Sequence, residues 1–526
     1  MDIEESLHWA DQIARKVVQS WGKKKEYVCA AGITPSGTVH IGNFREMITV
    51  DLVVRALRGL KHNVRFVYSW DDFDVFRKVP ANMPNQDLLN KFLRHPITEV
   101  PDTLGCHKSY AEHNEKEVED VLPKVGIQPE FLYQHKKYQR GDYAEEIKHV
   151  LAGKEKIKAI LDKFRAESHP EGWIPLSVYC EKCRTDNTRI TEYDGSYAIA
   201  YSCACGHSGN MDFRKNALVK LPWRIDWPMR WHFEKVDFEP GGKEHSTEGG
   251  SYTTAKEIVK EIFGREPPVY HKYDFIIIKG KGGKMSSSKG NVITLKEALA
   301  VYEPEIVRYL FASTRPDTEF AISFDLDVLK VYEDYDRCER IYFKKESVSE
   351  KEFEKQKRIY ELSQVSEPSA HLPFQPSIKH LLNLIQLYGG DEKKILDDLK
   401  GSLKTKVDTA KVKARLECAK YWLEHYAPED MKFHFHSRQE AGHVQLSGKE
   451  KDCLKKIAEF LKDNQKMGEE ELHNQLYEIA KASGIEPKDF FRSAYRFFIG
   501  KERGPKLANL ILTAGKEKVL DVLSCI

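Results

Sequence analysis

Apolar residues recur at the spacing of helices and strands over the first 80 residues. This pattern predicts an amphipathic helix near 7–21, a buried strand at 27–33, a helix at 42–57 and a second strand at 64–70. Strand, helix and strand in this order predict a βαβ unit with parallel strands. Ligands of such units bind at the carboxyl ends of the strands.

The pattern then changes twice. Short mixed elements and many prolines between 79 and 215 predict a module inserted into this α/β fold. After it we predict a strand-like aromatic segment at 223–231, a Gly-rich loop at 240–242, a helix at 253–263 and a strand at 271–278. Beyond about 325 nearly every segment has helical periodicity, which predicts an all-α C-terminal half.

These changes predict five segments. The α/β fold, a Rossmann-like nucleotide-binding domain, is split into 1–78 and 216–325 by the insertion at 79–215. The helical half consists of a linker at 326–400 and a terminal domain at 401–526. A chain of 526 residues that is 41% hydrophobic is long enough to form several such cores.

Charge and hydropathy restrict the partners. The chain has 83 basic and 81 acidic residues, and this net charge of +2 gives no general attraction for a polyanion. Residues 401–526 carry 23 basic against 19 acidic residues, so any nucleic-acid binding is local. No run of about 18 apolar residues occurs and the N-terminus is acidic. We therefore expect a cytoplasmic protein without a membrane partner.

The turn between the first strand and the second helix carries the first candidate chemistry. It runs from Thr34 to Asn43, and Gly37 and Gly42 allow a ligand's phosphates to approach the backbone closely. The helix N-terminus beyond it favours anions, and His40 and Asn43 supply donors for phosphate oxygens or a nucleoside. Taken alone, such a turn is more often a tight connection with a surface histidine.

The second candidate is the loop at 279–290, directly after an apolar strand. It contains four glycines, four lysines and three consecutive serines. Loops of this composition close over a triphosphate and stabilise charge that develops at phosphorus. A solvated linker has the same composition, but the position after a buried strand argues against a linker.

Together the two motifs resemble the signature pair of the class I aminoacyl-tRNA synthetases. His40-Ile41-Gly42-Asn43 is similar to the family's His-Ile-Gly-His box, and Lys284-Met285-Ser286-Ser287-Ser288 to its Lys-Met-Ser-Lys-Ser box. The usual second lysine is missing at Ser287, and Lys289 is the candidate for its charge. The resemblance implies catalytic roles for His40, Asn43, Lys284 and Lys289. It implies ATP contacts, with Mg²⁺ bound to the ATP, from Pro35, Ser36, Gly37, His40, Gly42, Asn43, Lys284, Met285, Ser286, Ser287 and Ser288.

Longer runs narrow this resemblance to the class I lysyl-tRNA synthetases of archaea and some bacteria. These runs are 223–231, 239–245, 249–252, 284–290 and 496–505. The resemblance spans nearly the whole chain and implies that L-lysine is activated with ATP and transferred to the 2′-hydroxyl of the terminal adenosine of tRNA(Lys). It also implies that the helical C-terminal domains hold the anticodon. Relatives of this family charge glutamate, so specificity for lysine rests on the resemblance.

A lysine substrate needs an acceptor for each of its two ammonium groups, preferably beside aromatic rings. Asp71, Asp72 and Asp74 supply acidic groups at the sheet edge. Trp223, Trp227 and Trp231 supply walls, although tryptophans more often pack in cores. The residues predicted to bind lysine are Gly32, Thr34, Asp71, Trp223, His245 and Tyr273.

Paired cysteines predict a structural zinc ribbon within the insertion. Cys180 and Cys183 have knuckle spacing, and a second pair follows about twenty residues later. The fourth ligand is either Cys205 or His207, after Cys203. A second group, Cys106, His107 and His113 with His95 nearby, has metal-ligand types at irregular spacing. Polar histidines with ordinary partners explain that group better than a second zinc ion.

Three other functions remain open. The chain is alternatively another class I synthetase, such as a glutamyl- or cysteinyl-tRNA synthetase. A nucleotidyltransferase would share the His-Ile-Gly turn, but it would not need a long helical C-terminal half. A zinc-ribbon RNA-binding protein without catalysis would explain the cysteines and leave the loop at 279–290 without a role.

Overall fold

The computed structural model describes residues 6–215, 217–279, 281–284, 292–464 and 467–526. The chain forms two compact units. Unit 1 comprises 1–299, 304–322 and 338–368, and unit 2 comprises 300–303, 323–337 and 369–526. None of the helices in the described part of the chain is both long and apolar enough to cross a membrane.

All strands in the described part of the chain lie in unit 1. They are β1 (Tyr27–Ile33), β2 (Val64–Trp70), β3 (Glu130–Tyr133), β4 (Ser177–Val178), β5 (Thr188–Tyr193), β6 (Ala198–Cys203), β7 (Ser208–Asp212), β8 (Val219–Lys220), β9 (Phe238–Gly242), β10 (Val269–Tyr273), β11 (Ile276–Ile278), β12 (Lys281–Lys284) and β13 (Phe320–Ile322).

Helices accompany the strands and then continue alone to the C-terminus. They are α1 (Trp9–Trp21), α2 (Ile41–Gly59), α3 (Gln86–Asn90), α4 (Tyr110–Glu119), α5 (Gln134–Arg140), α6 (Ala144–Ala152), α7 (Lys154–Asp162), α8 (Trp223–Phe233), α9 (Ser251–Phe263), α10 (Leu295–Val301), α11 (Pro304–Ala312), α12 (Asp327–Tyr342), α13 (Glu350–Ser363), α14 (Ile378–Leu387), α15 (Glu392–Asp398), α16 (Lys406–His425), α17 (Arg438–Gly442), α18 (Gly448–Asp463), α19 (Glu469–Ala482), α20 (Pro487–Ile499), α21 (Leu507–Ala514) and α22 (Lys516–Leu523). The predicted α/β class with a helical C-terminal region is confirmed.

Five strands form one parallel sheet in the order β10-β9-β1-β2-β3. The chain runs from β1 outward to β2 and β3, and later adds β9 and β10 on the other side of β1. The strand order therefore reverses between β1 and β9, and such a switch point is where open α/β sheets bind ligands. β3 lies in the range predicted for the insertion, yet it is an edge strand of this sheet.

The segment 223–231 is a helix, so the strand-like prediction for it was wrong. Aromatic residues favour strands in general, but Trp223, Trp227 and Trp231 recur every four residues, which is the spacing of one helix face. Their rings pack against one another along α8, with centroids 5.1 Å apart for the first pair and 4.8 Å for the second.

The Gly-rich segment at 240–242 is the end of β9, so its prediction as a loop was also wrong. All five residues of β9 are buried. Gly241 is needed here because a Cβ at that position would lie 2.3 Å from Oη of Tyr270 on the neighbouring strand β10. Close packing of two strands, and not chain flexibility, accounts for the glycine at 241.

The single strand predicted at 271–278 is two strands in different sheets. β10 belongs to the parallel sheet, whereas β11 pairs with β12 and β13 in a second sheet. Asp274 lies between them, and its N–H donates to the carbonyl of Pro316 at 2.8 Å. The chain therefore leaves the parallel sheet at Asp274, before it forms β11 and β12, the strand that ends at Lys284.

Unit 2 is helical and contains a buried ion-pair cluster. Arg415 of α16 is fully buried and donates to Glu303 and to both carboxylate oxygens of Asp336, each at 2.7 Å. Besides this ion-pair cluster, unit 2 contains an apolar core that is formed mainly by faces of α18–α22. Burial of these faces explains the helical periodicity beyond 325.

Candidate active site and metal centres

A cavity of about 390 Å³ opens in unit 1 beside the carboxyl ends of β1, β2 and β10. The structure brings all six residues predicted to bind lysine into its lining, namely Gly32, Thr34, Asp71, Trp223, His245 and Tyr273. Ser36, Gly37 and Asn43 of the turn after β1 also line it. The cavity therefore lies next to the switch point of the sheet, where the strand order predicts a ligand.

The charge of this lining has one sign. Four acidic side chains face the cavity, those of Glu46, Asp71, Asp74 and Glu244, and its described lining contains neither lysine nor arginine. Asp71 and Asp74 are paired with Arg230 and Lys220 behind the wall, which reduces the negative charge. The cavity favours a ligand that brings positive charge, but less strongly than four unpaired carboxylates would. Glu46 and Glu244 were missed from the sequence. Glu46 lies one helical turn after Asn43 on α2, and only that spacing could have indicated that it faces the site.

Glu46 is held by two donors. One oxygen accepts the Gly32 N–H at 3.0 Å and the other accepts the hydroxyl of Tyr273 at 2.6 Å. Removal of this carboxyl from water raises its pKa to about 8, against the effect of both hydrogen bonds. A cation that binds here would favour the ionised carboxylate.

Asp71 is buried against Arg230 of α8. The guanidinium donates to the two carboxylate oxygens at 2.6 and 3.2 Å, and also to Oγ of Ser69 at 2.6 Å. Burial raises the pKa of Asp71 to about 6, and the charge of Arg230 offsets part of this rise. Arg230 was missed from the sequence, where it is one of two arginines within an aromatic segment.

Asp74 belongs to a second ion pair at the same wall of the cavity. It accepts the hydroxyl of Thr34 at 3.0 Å and lies 3.1 Å from the ammonium of Lys220. Lys220 also pairs with buried Asp226 at 3.1 Å. Burial lowers the pKa of Lys220, but the three nearby aspartates raise it above its ordinary value, so its charge is retained.

Other predicted pocket residues have structural partners instead. Asp72 is buried and accepts the N–H of His135 at 2.8 Å, and it is not part of the cavity lining. Trp227 and Trp231 donate their indole N–H groups to Glu239 of β9 at 3.0 and 2.6 Å. Of the three tryptophans on α8, Trp223 alone lines the cavity.

The turn after β1 is held by a reciprocal cap at the start of α2. Nδ1 of His40 accepts the Gly42 N–H, and Oδ1 of Asn43 accepts the His40 N–H, both at 3.1 Å. Pro35 of the same turn is buried. This cap explains why asparagine is suited to the last position of the box.

The second box is only partly described. Lys284 is the last residue of β12, and its backbone pairs with that of Ile277 in β11. Met285, Ser286, Ser287, Ser288 and Lys289 lie outside the described residues. The roles predicted for this box therefore stay predictions.

Four of the five cysteines of the insertion lie together at the ends of β4 and β6. The sulfurs of Cys180, Cys183, Cys203 and Cys205 are all within 4.8 Å of one another, and two pairs are separated by 3.5 and 3.8 Å. Tetrahedral zinc at about 2.3 Å from each sulfur requires sulfurs about 3.8 Å apart. This donor set fits zinc, and it contains Cys205 where the sequence left Cys205 and His207 open.

A second group of donors lies in the loop before α4 and on that helix. It consists of Asp102, Cys106, His107 and His113, whose ligand atoms lie within 4.8 Å of one another. Nδ1 atoms of both histidines are 3.1 Å from Sγ of Cys106. The group therefore contains Asp102 in place of the predicted His95.

Replacement of Arg230 with methionine is expected to destabilise unit 1. The change leaves Asp71 and Asp226 buried without a guanidinium partner, which costs about 3–5 kcal/mol of unfolding free energy. Chemical denaturation at pH 7 measures this loss. It should shrink at pH 5, because Asp71 is protonated below its pKa of about 6. An equal change in exposed Arg140 should have little effect, and equal losses in both variants would contradict this account.

A parallel sheet with an acidic cavity at its switch point and a capped His-Ile-Gly-Asn turn is the arrangement expected of a class I aminoacyl-tRNA synthetase. Residues 7–366 match the profile of the family described as tRNA synthetases class I (K). The chain belongs to this family.

Curated relatives cover the whole length of the chain. A protein named lysine–tRNA ligase from Borreliella burgdorferi is 49% identical over 520 residues, which is 99% of both chains. Proteins of the same name from Treponema pallidum and Pyrococcus horikoshii are 45% and 42% identical and cover 99% and 98% of both chains. A glutamate–tRNA ligase from Elizabethkingia meningosepticum aligns with a TM-score of 0.43 at 15% identity, over 95% of this chain and 99% of its own.

Proposed function

We propose that the protein activates L-lysine with ATP and transfers the lysyl group to the 2′-hydroxyl of the terminal adenosine of tRNA(Lys). The observation that carries this proposal is the cavity lined by four carboxylates and, in its described part, by no basic side chain. The names of the relatives support the same activity. Binding of a free glutamate there would place like charges together, so the glutamyl alternative is disfavoured.

The lining offers one acceptor for each ammonium of lysine. Glu46, held by Gly32 and Tyr273, forms one acidic wall, and Asp71 with Asp74 forms the other. The ring of Trp223 lies between the cavity and Trp227 and supplies an apolar surface for the methylene chain. Pairing with these carboxylates compensates the desolvation of both charges.

The turn after β1 is the proposed ATP site. His40 and Asn43, held by their mutual cap, are positioned with Gly37 and Gly42 to contact phosphates. Mg²⁺ bound to ATP supplies additional charge neutralisation. A carboxylate oxygen of lysine attacks the α-phosphorus and pyrophosphate leaves, so the chain acts by orientation and electrostatic stabilisation, without a side-chain nucleophile.

Pyrophosphate exchange with each standard amino acid in turn tests this function. Exchange that depends on lysine and is absent with glutamate and cysteine is expected. Exchange driven by glutamate or cysteine would assign the chain to that substrate, and no exchange with any amino acid would remove the enzymatic proposal. Charging of tRNA(Lys), measured separately, tests the second step. We also propose that the anticodon contacts the helical C-terminal region and that the reaction takes place in the cytoplasm.

Lysine binding should depend on pH with a definite sign. Glu46 must be ionised to pair with an ammonium group, and its pKa in the free protein is about 8. Below pH 8 binding of lysine therefore releases a proton from Glu46. The apparent affinity for lysine should fall by up to about tenfold for each unit by which the pH is lowered. Calorimetry in two buffers of different ionisation enthalpy at pH 7 measures this proton. An affinity independent of pH between 6 and 8 would contradict the assignment of Glu46.

We propose zinc at Cys180, Cys183, Cys203 and Cys205, and a second zinc ion at Asp102, Cys106, His107 and His113. Support for the first comes from the sulfur spacing. Support for the second comes from the mixed donor set, which includes a carboxylate whose oxygen accepts the N–H groups of Cys106 and His107 at 2.9 and 2.8 Å. Both are structural sites in which the protein supplies all four donors.

Metal analysis of single variants separates the two sites. Replacing Cys203 with serine should lower the zinc content from two ions to one for each chain, and replacing Cys106 with serine should do the same at the other site. Replacing Cys525 with serine is the matched control, because Cys525 lies outside both groups. This variant should keep a zinc content of two ions for each chain. A native content of one that only the Cys203 variant lowers would remove the second site.

A further inference from the structure

Arg45 of α2 is a buried cation that donates to three backbone carbonyls. Its guanidinium donates to the carbonyl of Phe275 at 3.1 Å and to those of Arg315 and Thr318 at 2.9 and 2.8 Å. The residue is 2% exposed, and its guanidinium lies 5.1 Å from the centre of the Phe320 ring. Burial lowers the pKa of Arg45 to about 10, so it stays charged at neutral pH. A planar fork that bonds three carbonyls fixes the separation of the segments that carry them.

The three carbonyls lie where the chain enters the second sheet. Phe275 lies between the end of β10 and the start of β11. Arg315 and Thr318 precede β13, which pairs with β11. β11 also pairs with β12, whose last residue is Lys284. The guanidinium therefore joins the two chain segments that lead into the strands next to Lys284.

The residue that follows Arg45 on α2 belongs to the lysine cavity. Glu46 accepts the hydroxyl of Tyr273 at 2.6 Å, and Tyr273 is the last residue of β10. Phe275 comes two residues later, and neither it nor Arg45 is part of the cavity lining. Helix α2 therefore supports the lysine cavity through Glu46 and the entry to the second sheet through Arg45.

The N-terminus of α2 contacts the chain on the far side of the second box. The N–H of Ile41 donates to the carbonyl of Ile293 at 2.7 Å, and His40 forms an antiparallel β-bridge with Thr294. The first box is thus bonded directly to the segment that follows the second box. Arg45 provides the corresponding contact before that box, at the entry to β11.

We propose that Arg45 is a positioning residue for the second box. It holds the strands next to Lys284 at the place, relative to the lysine cavity, that activation of the amino acid requires. This assignment rests on the proposed function and adds a residue that lies outside the cavity. Arginine suits the role because its fork donates to several carbonyls at fixed angles, whereas a lysine ammonium is a point charge on a flexible chain. Misplacement of a reacting group by about 1 Å can lower a rate by about 10²-fold.

The variant Arg45→Lys tests the assignment against a matched control. The kcat of lysine-dependent pyrophosphate exchange should fall by at least about tenfold. The calorimetric Kd for lysine should stay within about threefold of native, because the cavity lining is unchanged. The control is Arg308→Lys, which alters a buried arginine that donates to Asp51 and to the carbonyls of Val125 and Leu362 elsewhere in unit 1. It should lower the denaturation midpoint as much as Arg45→Lys does, yet keep kcat within about twofold of native.

A double variant shows whether Arg45 acts through Lys284. When Arg45→Lys is added to Lys284→Ala, the residual single-turnover rate of adenylate formation should fall by less than about threefold, because the group to be positioned is already absent. Multiplication of the two single losses would overturn the assignment. Equal falls of kcat in the Arg45 and Arg308 variants, or a native kcat in Arg45→Lys, would overturn it as well.

A second variant disturbs the same junction while Arg45 is kept. Asp274 is partly exposed, accepts the N–H of Phe275 at 2.7 Å and lies 2.6 Å from the ammonium of Lys243. Asp274→Ala should lower kcat by about threefold or more, with a native Kd for lysine. If Arg45→Lys does not fold, this variant decides, and a native kcat in it would contradict the assignment. Loss of exchange in the native protein would defeat the proposed function itself.

Discussion

Replacement of Glu46 with glutamine is expected to lower kcat/KM for lysine in pyrophosphate exchange by about 10²–10³-fold. The variant keeps the shape of the side chain and hydrogen-bonding atoms for Gly32 and Tyr273, but it removes the negative charge from one wall of the cavity. An ammonium group that has left water then lacks its counter-charge, which is costly in a desolvated site. The KM for ATP should change little.

Glu244 provides the matched control for this change. It lines the same cavity, but it is exposed, so water screens its charge. Glu244→Gln should therefore lower kcat/KM by less than tenfold. Tyr273→Phe should also have a small effect, because it removes one hydrogen bond to Glu46 and keeps the charge. A Glu46→Gln variant with native KM for lysine would show that the ammonium groups bind elsewhere.

Replacement of Lys284 with alanine is expected to abolish adenylate formation while lysine binding survives. The resemblance assigns this lysine to the charge that develops on the phosphates, and loss of one such donor typically lowers kcat by about 10²–10³-fold. Exchange measures the first effect and calorimetry with lysine measures the second. The two measurements separate a defect in chemistry from a collapsed pocket.

Variants of two neighbouring lysines provide a control and a second test for this experiment. Lys279→Ala removes a charge five residues earlier and keeps the backbone N–H that donates to Ile322 at 3.0 Å, so exchange should be nearly native. Lys289→Ala tests whether that residue supplies the charge missing at Ser287, in which case its loss should approach that of Lys284→Ala. Near-normal exchange in the Lys284 variant would refute the assignment of the second box.

The elements that the sequence predicted best are those whose pattern is local. β1 and β2 were predicted with their observed bounds, because β1 is a continuous apolar run and β2 is rich in β-branched and aromatic residues. The tryptophans of α8 misled the prediction because aromatic residues favour strands, although their four-residue spacing is helical. Gly241 and Gly242 are typical of a loop, and the sequence does not show that Gly241 packs against the ring of Tyr270 on the neighbouring strand.

The residues of the site also separate into those that the sequence could predict and those that it could not. Residues next to strand ends, such as Thr34 and Asp71, could be predicted from the sequence because a parallel sheet brings its carboxyl ends together. Glu46 and Arg230 could not, because each lies inside a helix and its role depends on which residue faces it across the fold. Pairwise contacts between distant segments leave no mark in a single sequence.

The division of the chain into two units limits how the protein can be taken apart. The backbone passes from one unit to the other at 299/300, 303/304, 322/323, 337/338 and 368/369. A fragment that ends before 338 lacks α13, and Arg308 of α11 loses the carbonyl of Leu362 to which it donates at 2.9 Å. A fragment that ends at 368 retains Glu303 and Asp336 but not Arg415, the partner of both. The two units are therefore interleaved along the chain, and a single cut at any of these five points leaves at least one unit without part of its own residues.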